Sequence, residues 1–142
     1  MRGRRFVPPR WLRSAHLQSI LPSLPPRRRQ VERRTAAWRR RSSEMLLDCG
    51  EGVTLQAFHT PAGPLPAQTL AILLHGWEGS AESQYILSLA HALLDRGVDV
   101  VRLNLRDHGD THHLNRELFH SCRLPEVVGA VRALRRQFAQ QR

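Results

Sequence analysis

The sequence predicts an α/β fold built on a pair of parallel strands joined by a helix, and three observations predict it. Leu70 to Leu74 is an unbroken apolar run, the pattern of a strand covered on both faces. Ile86, Leu89, Ala90, Leu93 and Leu94 then recur at helical spacing along one face, with Gly97 as the stop. Val98 to Leu105 is a second apolar strand. Strand, helix and strand at this spacing form a βαβ unit whose strands run parallel and whose crossover is right-handed.

The remaining elements follow from local chemistry. Residues 1–41 read as a basic, Arg/Pro-rich N-terminal arm. The proline-broken stretches Phe6-Val7-Pro8-Pro9 and Leu21 to Pro26 confine its helix to roughly Trp11–Ile20. The runs Arg27-Arg28-Arg29 and Arg39-Arg40-Arg41 read as solvated or flexible charge. Composition changes at Glu44, so residues 42–142 form the second unit. Met45-Leu46-Leu47 and Val53 to Phe58, around Cys49-Gly50-Glu51-Gly52, predict a β-hairpin. Thr60 to Gln68 is a proline-rich surface loop. Ser83 is placed to cap the first helix of the βαβ unit. A polar loop spans Arg106–Arg123, and Pro125, tolerated in a first turn, opens a helix with Val127, Val128, Val131, Leu134 and Phe138 on its apolar side.

Bulk properties narrow the function. At 142 residues the chain suffices for one core and not two. All 22 basic side chains are arginine: residues 1–41 hold 13 of them against one acid, Glu32, and the rest of the chain holds nine against eleven acids. Basicity therefore belongs to the arm. Two cysteines, Cys49 and Cys122, build no disulfide framework and point to a reducing compartment. No apolar stretch reaches membrane-spanning length. Arg4-Arg5-Phe6 hints at an export signal, but Pro8, Pro9, Arg10 and Arg13 stand where its apolar region belongs, so the cytoplasm is expected.

The glycine loop carries the most specific chemistry. In His75-Gly76-Trp77-Glu78-Gly79-Ser80 a strand turns sharply into a helix, an arrangement that aims backbone N–H groups at one point suited to an oxyanion or a phosphate. The plainer reading is a tight turn whose glycines relieve strain. LLHGWEGSAESQY after one strand, LNLRDHG after the next, NRELFHS before a helix and PRWLRSAHLQSILP near the start together resemble the α/β-hydrolase family, within it the bacterial YheT-like branch of hydrolases and esterases. HGWEGS with Ser83 and Tyr85 is similar to that branch's HGxEGSxxSxY. His16, Gln18 and Pro22 are similar to its H-x-Q-T-x-x-P, with Ser19 for threonine. The likeness runs from about Phe6 to Leu134. Asp107-His108, Asp110 and Cys122 depart from the branch's small residues.

The resemblance implies the N-terminal half of an α/β-hydrolase sheet: a β-hairpin, the βαβ unit and a following helix, truncated before the nucleophile elbow. It also implies a serine-dependent carboxylic-ester hydrolase or acyltransferase acting on a small-molecule ester. The backbone N–H of Trp77 would serve as an oxyanion-hole donor, and His75, Gly76, Glu78, Gly79 and Ser80 would form the oxyanion loop and pocket wall. No G-x-S-x-G occurs in the 142 residues, and the family's triad order places its histidine last, so none of the eight histidines fills that role. The chain alone is expected to be inactive, to need no cofactor or metal, and to leave the 70–74 strand an open edge that pairs with a C-terminal half or aggregates.

A non-catalytic module could use the arginine arm, with Trp11 and Trp38 as stacking surfaces, on nucleic acid or an anionic surface. No zinc-finger, KH or RRM motif accompanies it, and specific nucleic-acid recognition is not expected. Salt separates the classes, since phosphate contacts weaken steeply as salt rises and ester binding does not. Asp107, His108, Asp110, His112, His113, His120 and Cys122 offer metal ligands in number without a recognised spacing. His108 and Gly109 are better read as fixing a turn, Ser80 and Ser83 as caps, and Cys122 as a small buried thiol.

Overall fold

The structure, a computed structural model, describes residues 7–65 and 67–139. Arg4, Arg5, Phe6 and Pro66 lie outside them. The chain divides into two compact units, 1–34 and 35–142. In the first, a 3-10 turn at Arg10–Leu12 leads to helix α1, Ala15–Ile20, whose Gln18 side chain donates to the Leu12 carbonyl at 2.6 Å. Another 3-10 turn at Leu21–Ser23 leads to helix α2, Pro25–Arg39, whose residues from Thr35 on belong to the second unit.

Helix α2 differs from the expectation that arginine runs there stay flexible. Two facts explain it. Pro25 and Pro26 occupy the first turn, where their missing N–H groups have no intrahelical acceptor to lose. Arginine is itself a good helix former, and Arg28 pairs with Glu32 one turn on at 2.9 Å.

The second unit holds a four-stranded sheet in the order β1-β2-β4-β3. Strands β1 (Ser43–Asp48) and β2 (Thr54–Thr60) form the antiparallel hairpin, with Leu47 opposite Leu55. Strand β4 (Asp99–Leu103) lies antiparallel to β2 and parallel to β3 (Leu70–Leu74), with helix α3 (Gln84–Leu94) between β3 and β4 in sequence. This is the expected βαβ unit. Helix α4 (Leu124–Ala139) takes Pro125 in its first turn.

Burial corrects one detail. β4, not β3, is covered along its whole length; β3 has a paired neighbour on one side only among the described residues, and Leu74 at its end is 45% exposed. The apolar run therefore marks a strand half-buried at the sheet edge. No described helix is long and apolar enough to cross a membrane.

One face of the sheet packs on α4: Leu47, Leu55, Ala57, Val101 and Leu103 meet Ala130 and Leu134. The close approach depends on Gly129. A methyl there would stand 2.7 Å and 2.8 Å from the carbonyl carbon and Cα of Cys49. The same burial pushes the Cys49 thiol up to about 11, with its hydrogen bond from Leu55 acting in the opposite direction, so it is a packing group rather than a nucleophile. Gly129→Ala should lower stability by about 1–3 kcal/mol through this overlap. Gly63→Ala, whose added methyl meets nothing within 4 Å, should leave the urea midpoint unchanged.

Candidate active site

β3 ends at Leu74, and the next eight residues form a loop held at both ends. The N–H of Gly76 donates to the Tyr85 hydroxyl at 2.7 Å, and the N–H of Gly79 donates to the Gly76 carbonyl at 3.0 Å. Gly79 admits no side chain, since a Cβ would lie 2.8 Å from the Tyr85 hydroxyl and 3.0 Å from His75 Cβ. Glu78 sits in the left-handed region at φ 53°, an uncommon conformation for a residue with a side chain. Ser83 occupies the N-cap position of α3 as expected, but its hydroxyl makes no cap bond to the first turn. Its Oγ accepts instead from the Ser80 N–H at 2.9 Å, while the Ser80 hydroxyl accepts from the Glu82 N–H at 3.1 Å. Both serines shape the turn.

His75 is fixed by both ring nitrogens. Nδ1 lies 2.8 Å from the Gly76 carbonyl and Nε2 accepts from the Leu105 N–H at 3.1 Å, which defines a neutral Nδ1–H imidazole. The ring thereby ties the end of β3 to the residues after β4. Burial lowers its pKa most, a hydrogen bond to Gly76 opposes this, and His108 adds to it. With no free nitrogen, His75 holds geometry and does not exchange protons. His108 packs 4.7 Å from the His75 ring, with Nδ1 2.7 Å from the Arg106 carbonyl, and it meets the Phe119 ring edge-on at 4.8 Å.

A cavity of about 240 Å³ opens beside this loop. His75, Gly76 and Trp77 line it, together with Leu105, Phe119 and Val127. Glu78, Gly79 and Ser80 build the turn behind it. The Trp77 side chain is 75% exposed and meets Phe119 edge-on at 6.1 Å. Among the described residues the N–H groups of Trp77 and Glu78 have no acceptor, whereas those of Gly76, Gly79, Ser80 and Ala81 do, and of the two only Trp77 lines the cavity.

The opposite wall comes from the 106–123 loop. Asp107, at φ 59°, receives the Phe119 N–H on Oδ2 at 2.7 Å and so carries that ring to the cavity. The Arg106 guanidinium grips Glu126 with two bonds, 2.7 and 3.2 Å, and the Glu117 carbonyl at 3.0 Å, fastening the loop to α4. Among the described residues no three His, Cys, Asp or Glu side chains converge as a metal site. Cys122 is exposed rather than buried, and no hydrogen bond joins it to His120 among the described residues.

Asn104 is the residue that sequence reading missed. Its Oδ1 accepts from the buried Ala81 N–H at 2.7 Å, and its Nδ2 donates to Gln56 Oε1 at 2.7 Å. A polar residue interrupting the apolar 98–105 run was the available signal.

Comparison with known proteins agrees with this geometry. No family model matches the chain. It is 33% identical over 134 residues, 94% of its length, to the protein named "Putative esterase YheT" of Escherichia coli strain K12. A crystal structure of XC6422 from Xanthomonas campestris, described as an α/β serine hydrolase without lid, matches 71% of the chain at 26% identity and a TM-score of 0.53. This chain is a YheT-like member of the α/β-hydrolase family. Est1E from Butyrivibrio proteoclasticus, solved with ferulic acid bound, shares the fold over 64% of the chain, at 24% identity and a TM-score of 0.54. This α/β-hydrolase chain spans 37% of the Escherichia coli relative and 45% and 36% of the two solved chains.

Two outcomes follow for the hydrolase loop. Asn104→Ala leaves the Ala81 N–H buried without an acceptor and should cost about 1–3 kcal/mol in denaturant unfolding. His75 and His59 both have pKa values lowered chiefly by burial. The unfolded chain then binds more protons than the folded one as pH falls below the ordinary imidazole value of 6.5. Stability should be full above that value and decline as pH drops through the depressed folded-state values, read as a falling urea midpoint.

Proposed function

We propose that the chain forms the oxyanion side of a serine-dependent carboxylic-ester hydrolase or acyltransferase, with Trp77 supplying a backbone donor and its indole lining an acyl pocket. The observation carrying this reading is the Trp77 N–H, left without an acceptor beside an apolar cavity. A donor so placed costs no reorganisation when negative charge develops on a carbonyl oxygen. The named esterase relative and the serine hydrolase neighbour support the same chemistry. The attacking serine, its acid and its histidine lie outside these 142 residues on this reading, since no G-x-S-x-G is present. The chain, a cytoplasmic protein on this reading, binds its ester only in company with that other half, which pairs on the free edge of β3.

The chain alone should not hydrolyse a p-nitrophenyl ester. Joined to the part of the Escherichia coli relative that follows the matched region, it should gain hydrolysis that a serine-directed inhibitor abolishes. In that fusion Trp77→Pro, which deletes the N–H, should lower kcat about 10²–10³-fold with inhibitor labelling retained. Inhibitor-sensitive hydrolysis by the chain alone, or a Trp77→Pro fusion as active as its parent, would overturn the proposal.

A further inference from the structure

The sheet face away from α4 contains a second, charged site. Val101 and Leu103 pack toward α4, so the alternation of a strand sends Arg102 to the other side. Arg102 is 1% exposed, and its Cζ lies 5.2 Å from the ring centres of both Trp38 and Phe58. Nη1 donates to the Ala81 carbonyl at 2.8 Å and to Glu82 Oε1 at 2.5 Å, and Nη2 reaches Ser42 Oγ at 3.4 Å. Glu82 is also the partner of Arg39. One carboxylate therefore serves two guanidinium groups.

Glu44, on the same cavity wall, accepts from Gln56 Nε2 at 2.7 Å and forms no ion pair with these arginines, and Arg40 has no ion pair among the described residues. Arg102 Nε and Trp38 Nε1 are buried N–H donors with no acceptor among the described residues. Burial, the largest influence, lowers the Arg102 pKa; its hydrogen bond and attraction to Glu82 oppose this, and the neighbouring Arg39 charge adds to the lowering. An open cavity of about 500 Å³ lies over these groups; its charged lining is three arginines, Arg39, Arg40 and Arg102, against two acids, Glu44 and Glu82. It shares no lining residue with the cavity beside Trp77.

We propose that this cavity binds a small oxyanion, the carboxylate or phosphate group of a ligand, with Arg39 and Arg40 as rim donors above the fixed charge of Arg102. Guanidinium forks match such oxygens in pairs, and a positive group held away from water attracts an anion more strongly than one in solution. Arg102 is pre-positioned by two aromatic rings and the Ala81 carbonyl, so its orientation needs no ordering on binding.

Trp38 supplies the readout. The full chain carrying Trp11→Phe and Trp77→Phe keeps it as the sole tryptophan. This protein would be titrated with inorganic phosphate and, separately, acetate, with sodium chloride holding ionic strength constant. A saturable change in Trp38 emission is expected, and the anion with the lower midpoint identifies the group. Adding Arg40→Gln, a change at an exposed side chain, should raise the midpoint about tenfold, whereas Arg116→Gln should leave it unchanged. The thermal midpoint of the unaltered chain should rise with the same anion, independently of the tryptophan changes. No saturable emission change and no thermal shift up to about 50 mM of either anion, or equal midpoints with and without Arg40→Gln, would overturn the proposal.

Discussion

A strand buried on every side must find a partner for each polar group it carries, and β4 meets that constraint in a way that sets the loop after β3. Ala81 is fully buried, and both polar atoms of its backbone are taken by β4 side or by the residue that follows it. Asn104 Oδ1 accepts its N–H and the Arg102 guanidinium donates to its carbonyl. Leaving either unpaired in the interior would cost on the order of 1–3 kcal/mol. The segment from His75 to Glu82 is therefore anchored near its far end by Ala81 and at its near end by His75 and by the Tyr85 hydroxyl on Gly76. Its shape follows from the sheet rather than from its glycines alone.

That anchoring satisfies the amides of Gly76, Gly79, Ser80 and Ala81 and leaves those of Trp77 and Glu78 without an acceptor among the described residues. Of these two only Trp77 lines the cavity, whose second wall Asp107 and Arg106 hold in place. Asp107 tolerates its left-handed backbone because a short acidic side chain can bond locally, here to the Phe119 N–H. The departure from the small residues usual in the YheT-like branch thus has a structural use: it positions an aromatic ring facing Trp77.

Pattern and spacing made the architecture legible. The hairpin, the βαβ unit and α4 all appear where hydrophobic period and turn chemistry put them, because each depends on contacts close in sequence or on a repeated face. Helix α2 was less legible, since its arginines carry helix propensity without an apolar stripe long enough to register; only Val31, Thr35 and Trp38 turn inward. The motif HGWEGS marked the loop, but not how it is held. Asn104, Arg102 and the second role of Ser83 depend on partners 20 or more residues away or on a side chain turning backward, and no local pattern encodes either. The open edge at β3 was expected from the resemblance, but its partial exposure was hidden in the pattern, because an apolar run of five looks alike in the middle of a sheet and at its edge.

The order β1-β2-β4-β3 ties the edge to the site. β3 leads directly into His75, Gly76 and Trp77, so the side of β3 and the amide of Trp77 that have no partner among the described residues are separated by only a few positions. A strand pairing there in parallel would run in the same direction and bring its own carboxyl end level with Leu74. Ligands of open α/β sheets collect at those carboxyl ends. On the proposed function, the interaction that covers the exposed backbone groups of β3 is also the one that delivers a nucleophile to the oxyanion donor. Completing the sheet and completing the active site are then one event, and a chain with neither carries a preformed donor without a reaction to serve.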